Sequence, residues 1–266
     1  MPAHRFEGKT IFVTGGTSGL GRASCAQFIE EGGEVFIMDL EERSVLQHLG
    51  DKLKAHFYQG DVGKPEDCEA AINACVEKLG KLDILFHCAA QLSPMSTVPN
   101  HDLALFQQII NTNLCSLFYL ARIAIPQMQK QGKGVIVVTG STSAMAGEHG
   151  LPSYSASKAG MINLMRSMAI DHAQDNIRIN AICPGYMRTA MTAGLGELAK
   201  VVEDSIPQGR GADPEEVARS VLFLASEDAS FMTGHAMVVD GGWCAHSGAP
   251  DFLKLVPQQF RPDSTT

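Results

Sequence analysis

Seven short apolar runs, separated by longer amphipathic stretches, most constrain what this chain can fold into. They occupy residues 9–14, 34–39, 54–59, 83–88, 134–140, 177–183 and 236–240. Runs such as Val135-Ile136-Val137-Val138 are apolar on both faces, which suits a strand covered from both sides. Strands linked through helices pair in parallel with right-handed crossovers. The pattern predicts a single α/β domain over residues 1–246, a doubly wound parallel sheet of about seven strands. Ligands of such sheets gather beyond the carboxyl ends of the strands. The loops after residues 14, 39, 61, 88, 140 and 183 are therefore where function is expected.

Composition narrows the partners. The chain has 266 residues, a net charge of -8 and 6% aromatic residues, a balance unsuited to a phosphate-backbone surface. No nucleic-acid partner is expected. Residues 1–9 lead directly into the first strand without an apolar signal core, and no stretch of about 20 apolar residues stands out. This predicts a soluble, cytoplasmic protein with no membrane partner. The seven cysteines form no C-x-x-C pair, and the nine histidines show no metal-binding spacing, so neither disulfides nor a metal is expected. Most of the cysteines read as small buried hydrophobes. Residues 247–266 carry three prolines and five large apolar side chains, and read either as a mobile terminus or as a tail docked at a subunit interface or the active-site mouth.

The first run enters Thr14-Gly15-Gly16-Thr17-Ser18-Gly19-Leu20-Gly21, followed by a helix expected over residues 22–31. Glycines let a backbone approach a pyrophosphate closely, and a helix amino end offers free N–H groups. Gly15, Thr17, Ser18, Gly19, Leu20 and Gly21 are accordingly candidate cofactor contacts. The spacing is G-x-x-x-G-x-G rather than the general G-x-G-x-x-G fingerprint. Asp39 ends the second run, 18 positions after Gly21, where a carboxylate takes a ribose 2′-hydroxyl and repels a 2′-phosphate. NAD is the expected cofactor, with Arg43 the one loop cation that would argue for NADP. Asp61, beside Val62, reads either as an acceptor for the adenine amino group or as a turn residue.

Tyr154 and Lys158, four positions apart, fall on one face of a helix. A free phenol titrates near 10, and a unit charge about 4 Å away is worth roughly 4 kcal/mol at an effective dielectric of 20. That corresponds to roughly three pKa units before desolvation is subtracted, enough to bring the phenol toward neutral pH.

With this glycine loop, Asp39, Asp61 and the Tyr154/Lys158 pair in one order, the chain resembles the short-chain dehydrogenase/reductase family over residues 8–243. The resemblance implies Tyr154 as acid/base. It gives Lys158 two roles, lowering the Tyr154 pKa and holding the nicotinamide ribose. Ser141, thirteen residues before Tyr154, matches the serine that bonds the substrate oxygen, and Asn113 the asparagine that orders a water beside the lysine. In Pro184-Gly185-Tyr186-Met187-Arg188-Thr189, Met187 and Thr189 match residues that hold the carboxamide; read alone, the segment is a Pro-Gly turn. Residues 190–200 would form a lid hinged at Gly194 and Gly196. A homotetramer is implied through helices over residues 103–131 and 152–174.

One departure stands out. The family usually has Asn-Asn-Ala-Gly after the fourth strand, where this chain has His87-Cys88-Ala89-Ala90. Ala89 remains a candidate cofactor contact, and His87 is expected to tie strands together through a ring nitrogen. The substrate pocket is expected to include Ser143, Met145, His149, Tyr186 and Met191, with Leu92, Ser93, Ala144, Leu151, Leu195 and Glu148 nearby. Met145, Met191 and Leu195 read equally as core. A mostly apolar set favours a neutral secondary alcohol or ketone over a phosphorylated sugar. The alternatives are a 3-oxoacyl-carrier ketoreductase of the same family and a non-catalytic NAD sensor.

Overall fold

The computed structural model describes residues 4–41, 55–245 and 255. All seven expected strands are present: β1 (Thr10–Thr14), β2 (Glu34–Asp39), β3 (Ala55–Gln59), β4 (Ile84–His87), β5 (Gly134–Thr139), β6 (Ile177–Pro184) and β7 (Ala236–Val239). They form one sheet in the order β3-β2-β1-β4-β5-β6-β7, every pair parallel. The chain winds outward in one direction through β3 and in the other from β4. The seam between β1 and β4 is therefore the switch point at which connections diverge and a crevice opens.

Helices cover both faces. On one lie α1 (Gly19–Glu30) and, late in the chain, a helix over Pro214–Ala225; on the other lie α2 (Pro65–Leu79), α3 (Leu103–Ile110), α4 (Ser116–Gln131) and α5 (Pro152–Asp171). The short α6 (Leu198–Ser205) precedes Pro214–Ala225, which is α7. Alternation along β1 divides the core in two. Ile11 and Val13 pack with Phe28 of α1 and Val217, Val221 and Leu222 of α7. Phe12, pointing the other way, joins Ile72 of α2, Leu120 of α4 and Met165 of α5. Phe6 meets Phe28 edge to face at 4.8 Å, and Phe12 stacks on Phe36 at 5.8 Å. Each such fully buried side chain contributes about 2–3 kcal/mol of transfer free energy.

Local chemistry sets the helix ends. α2 opens on Pro65 with Glu66 and Asp67 in its first turn, where the macrodipole favours acidic groups. It closes on Gly80 at φ +78°, a left-handed conformation suited to glycine. Asp213 and Glu216 form a reciprocal capping box at the start of α7. α1 begins at Gly19, three residues before its expected start.

The run Leu103–Gln131 is long and apolar enough, by length and composition, to cross a membrane. Here Leu117, Leu120, Ala121, Ala124 and Met128 turn into the core against the sheet. A π-helical turn over Asn111–Cys115 joins α3 to α4. Of the seven cysteines, Cys25, Cys68, Cys75 and Cys183 are buried, and all are free thiols. The tail 247–266 and Arg43 lie outside the described residues, apart from Leu255.

His87 ties the β1/β4 seam to α4. Fully buried, it pairs in register with Thr14. Its Nδ1 lies 2.8 Å from Thr14 Oγ1 and its Nε2 2.9 Å from Ser116 Oγ. Ser116 gives its only hydroxyl proton to the Thr112 carbonyl, so the ring must donate from Nε2 and accept at Nδ1 from Thr14. Thr14 Oγ1 in turn accepts from the backbone N–H groups of Cys88 and Ala89. The expected structural role of His87 holds, and every polar atom in the cluster has a partner.

Burial, and secondarily the Lys158 charge, push the His87 pKa down to about 3. An unfolded histidine titrates near 6.5. Between those values the unfolded chain binds the extra proton, so this contribution to stability is lost as pH falls from about 6.5 toward 3. At about 1.4 kcal/mol per pH unit, His87 costs the fold about 2–3 kcal/mol between pH 6.5 and 4.5. Urea unfolding at the two pH values is expected to show a smaller acid loss in His87→Asn than in the wild type. Equal losses would refute a buried neutral ring.

Candidate active site

A cleft of about 670 Å³ opens beyond the carboxyl ends of the central strands. One end is built by the glycine loop. Gly15 has φ +68°, and a Cβ there would come within 2.8 Å of the Ala89 backbone. A Cβ on Gly21 would overlap the Gly15 carbonyl oxygen. At Gly15 and Gly21 the loop is folded too tightly for a side chain, and it delivers the amino end of α1 to the cleft. Ser18, the N-cap, makes no side-chain cap bond, and the first turn carries no acidic residue. Gly15, Ser18, Gly19 and Leu20 line the cleft; Thr17 and Gly21 support it from behind.

Asp39 also lines this end. Its Oδ2 accepts from the backbone N–H and hydroxyl of Thr17, at 3.1 and 2.6 Å, and its Oδ1 accepts from Leu40 N–H. The carboxylate is held in one orientation with acceptor capacity left toward the cleft. Asp61 lines the wall next to Val62, and its Oδ1 accepts from Gly63 N–H in a turn. Both readings of Asp61 therefore have a geometric basis. The cleft, the loop without room for a Cβ and the fixed carboxylate fit a dinucleotide.

At the other end α5 presents Tyr154 and Lys158, both lining the cleft. Lys158 Nζ sits 5.7 Å from the Tyr154 ring centroid, as four-residue helical spacing requires, and donates to the Thr139 carbonyl at 2.6 Å. Its side chain is buried, and burial pushes the ammonium down to about 8. The expected lowering of the Tyr154 pKa is not found in the chain by itself. Burial pushes the phenol up to about 12, a hydrogen bond with Ser141 opposes this, and the Glu148 charge adds to it. A charge beside a phenol in a solvent-like medium would lower its pKa, whereas here desolvation is the largest cause of the shift.

Ser141 lines the cleft at the start of a 3₁₀ turn, Thr142–Ala144. Ser143 is buried behind it, its Oγ 3.0 Å from Ser141 Oγ and donating to Glu148 Oε1 at 2.6 Å. Asn113 is fully buried in the π turn: Oδ1 accepts from Gln91 N–H, and Nδ2 donates to the Gln91 carbonyl and Ser157 Oγ. Pro184, Gly185, Met187, Thr189 and Met191 line the cleft along its third side, and Ala89 lies opposite. Gly185 packs on Asp240, and Met187 bridges to Ala212. Tyr186 faces a neighbouring groove with Thr17 and Arg188. Met145 and His149 are exposed and stand outside the cleft lining. In the expected lid, Gly196 has φ +52°.

The cleft also takes in residues that sequence reasoning did not single out: Gln91, Gln108, Asn111, Thr112 and Thr139. The π turn that brings Asn111 to Asn113 inward leaves no periodic signal in a short apolar helix. A family model described as Enoyl-(Acyl carrier protein) reductase matches residues 15–244. Meso-2,3-butanediol dehydrogenase of Serratia marcescens is 35% identical, over 94% of this chain and 100% of its own length. The 3-oxoacyl-[acyl-carrier-protein] reductase FabG of Thermotoga maritima is also 35% identical, over 90% of this chain and 98% of its own. Among solved structures, levodione reductase superposes with a TM-score of 0.87 at 27% identity, covering 91% of this chain and 99% of its own. The chain belongs to the short-chain dehydrogenase/reductase family, oxidoreductases that work with a nicotinamide dinucleotide.

Proposed function

We propose that this protein transfers hydride between NAD(H) and a small secondary alcohol or ketone. The observation that carries the reading is the placement of Tyr154 and Ser141 in the same cleft as the glycine loop and Asp39. Bound there, the nicotinamide would accept or give the hydride. Tyr154 exchanges a proton with the substrate oxygen, and Ser141 supplies a second polar contact at the atom whose charge changes. Lys158, pinned to Thr139, adds positive charge beside the tyrosine ring and would hold the nicotinamide ribose of a bound cofactor. Asn113 fixes the Gln91 backbone and Ser157, and so positions the strand-end loop against α5.

The substrate class is supported by the cleft wall at Met187, Ala190 and Met191, and by relatives named for butanediol and levodione. An acyl-carrier ketoreductase is the rival within the family, favoured by the relative named FabG. The net charge of -8 disfavours docking of an acidic carrier protein. Exposed Leu103, Phe118 and Ile170 on α3, α4 and α5 favour a homotetramer through these helices.

Tyr154→Phe is expected to lower kcat about 10²–10⁴-fold while NADH binding, followed by fluorescence, changes less than about threefold. Unchanged turnover would remove Tyr154 from the chemistry. The catalytic efficiency with NAD should exceed that with NADP, and Asp39→Ala should narrow the difference by roughly tenfold or more, about 1.4 kcal/mol. Equal efficiencies in the wild type would defeat the NAD assignment. Light scattering at micromolar concentration is expected to give a tetramer; a monomer would overturn the assembly reading.

A further inference from the structure

Resting on the reading of Ser141 and Tyr154 as the groups that meet the substrate oxygen, we infer that Glu148 selects the substrate. The alcohol or ketone carries a second hydrogen-bond donor close to the reacting carbon, a hydroxyl or a protonated amine, and this carboxylate accepts from it. Two short contacts set the placement. Ser143 Oγ lies 3.0 Å from Ser141 Oγ and donates to Glu148 Oε1 at 2.6 Å. The carboxylate is thereby held within about 6 Å of a hydroxyl that lines the cleft. A carbinol oxygen bonded to Ser141 and a neighbouring hydroxyl bonded to Glu148 span such a gap with ordinary O–H···O lengths of about 2.7–2.8 Å.

The carboxylate has capacity to spare. Oε1 is committed to Ser143, whereas Oε2 has no protein partner among the described residues, and no cation pairs with Glu148 there. The residue is exposed and stands just outside the cleft lining. Burial comes first among the causes that raise the Tyr154 phenol and the Cys244 thiol, and the Glu148 charge adds to both, so its field reaches α5 and the turn after β7. Along the cleft wall Lys158 is the only cation among the described residues, and it donates to the Thr139 carbonyl. A substrate carboxylate or phosphate at this end meets the like charge of Glu148, while the one cation is already engaged. A hydroxyl or ammonium meets a free acceptor instead.

Met187, Ala190 and Met191 of the cleft wall receive the carbon skeleton, so the substrate is apolar except for the reacting oxygen and one neighbouring donor. A plain monoalcohol leaves Glu148 Oε2 to water and gains nothing from it. A substrate with the second donor exchanges that water for a charge-assisted hydrogen bond, roughly twice as strong as a neutral one. The donor lies away from the carbon that loses or gains hydride, and the contact is made equally in the ground and transition states. It therefore lowers KM more than it raises kcat.

The test measures kcat and KM of wild type, Glu148→Gln and Glu148→Ala at neutral pH with 2-butanol, 2,3-butanediol, 1-amino-2-propanol and 3-hydroxybutyrate. Wild type is expected to favour the diol and the amino alcohol over the monoalcohol by about tenfold or more in kcat/KM, chiefly through KM, and to use the hydroxy acid least. Glu148→Ala is expected to shrink the diol preference about tenfold, with the diol losing more efficiency than the monoalcohol. Glu148→Gln keeps an acceptor and loses the charge, so it is expected to retain more of the diol preference than of the amine preference. Each preference is a ratio taken within one variant, so a general loss of activity cancels, and NAD binding within about threefold shows that the cleft is intact. A wild type without the diol preference, a diol preference unchanged in Glu148→Ala, or an amine preference unchanged in Glu148→Gln overturns the inference. If the wild type turns over no secondary alcohol or ketone at all, the underlying reading of the site fails instead.

Discussion

The seam between β1 and β4 is the constraint on which the rest of the molecule depends. Strand order reverses there, so the connections leave in opposite directions and their loops cannot close over the strand ends. Thr14 holds the seam shut below the crevice: it donates to His87 and accepts two backbone N–H groups from the loop after β4. Gly15, the next residue, turns at φ +68° against Ala89. The glycine loop and the loop after β4 therefore share one wall, and a change in either moves both. His87 extends the same network to Ser116 at the start of α4, linking the wall to the helix that follows Asn113.

Burial governs the electrostatics of the cleft more than proximity does. Tyr154 and Lys158 are stacked as their spacing dictates, yet each is pushed toward its neutral form, to about 12 and about 8. In both cases burial is the largest cause. Lys158 offsets part of its cost by donating to the Thr139 carbonyl. The two serines beside Tyr154 gain their importance from the same dryness, since a hydroxyl excluded from water must direct its single proton at a protein partner.

Much of this was legible beforehand. The seven strands follow from apolar runs whose residues have no polar face to expose. The glycine loop follows from a spacing that leaves no side chain at the tightest turns. The meeting of Asp39, Asp61, Ser141, Tyr154 and Lys158 at one cleft follows from their places at strand ends and on one helical face. Other features were not legible. Ser143 was expected to face the substrate, but its loop turns it inward onto Glu148. Met145 and His149 were placed in the pocket by counting, and both are exposed outside the cleft lining. The π turn at Asn111–Cys115 breaks the period from which helical faces are read.

By itself, the sequence determined the elements and their order, because periodicity, glycine placement and capping residues act over a few neighbours. It also determined which chemical groups stand at the strand ends. Only the tertiary structure decided how those groups behave. The direction of the Tyr154 shift, the tautomer of His87 and the turning of Ser143 onto Glu148 depend on how much water is excluded and on which distant donor or acceptor remains. Desolvation and hydrogen-bond completion are sums over everything packed around a group, and residues far apart in the chain supply most of it.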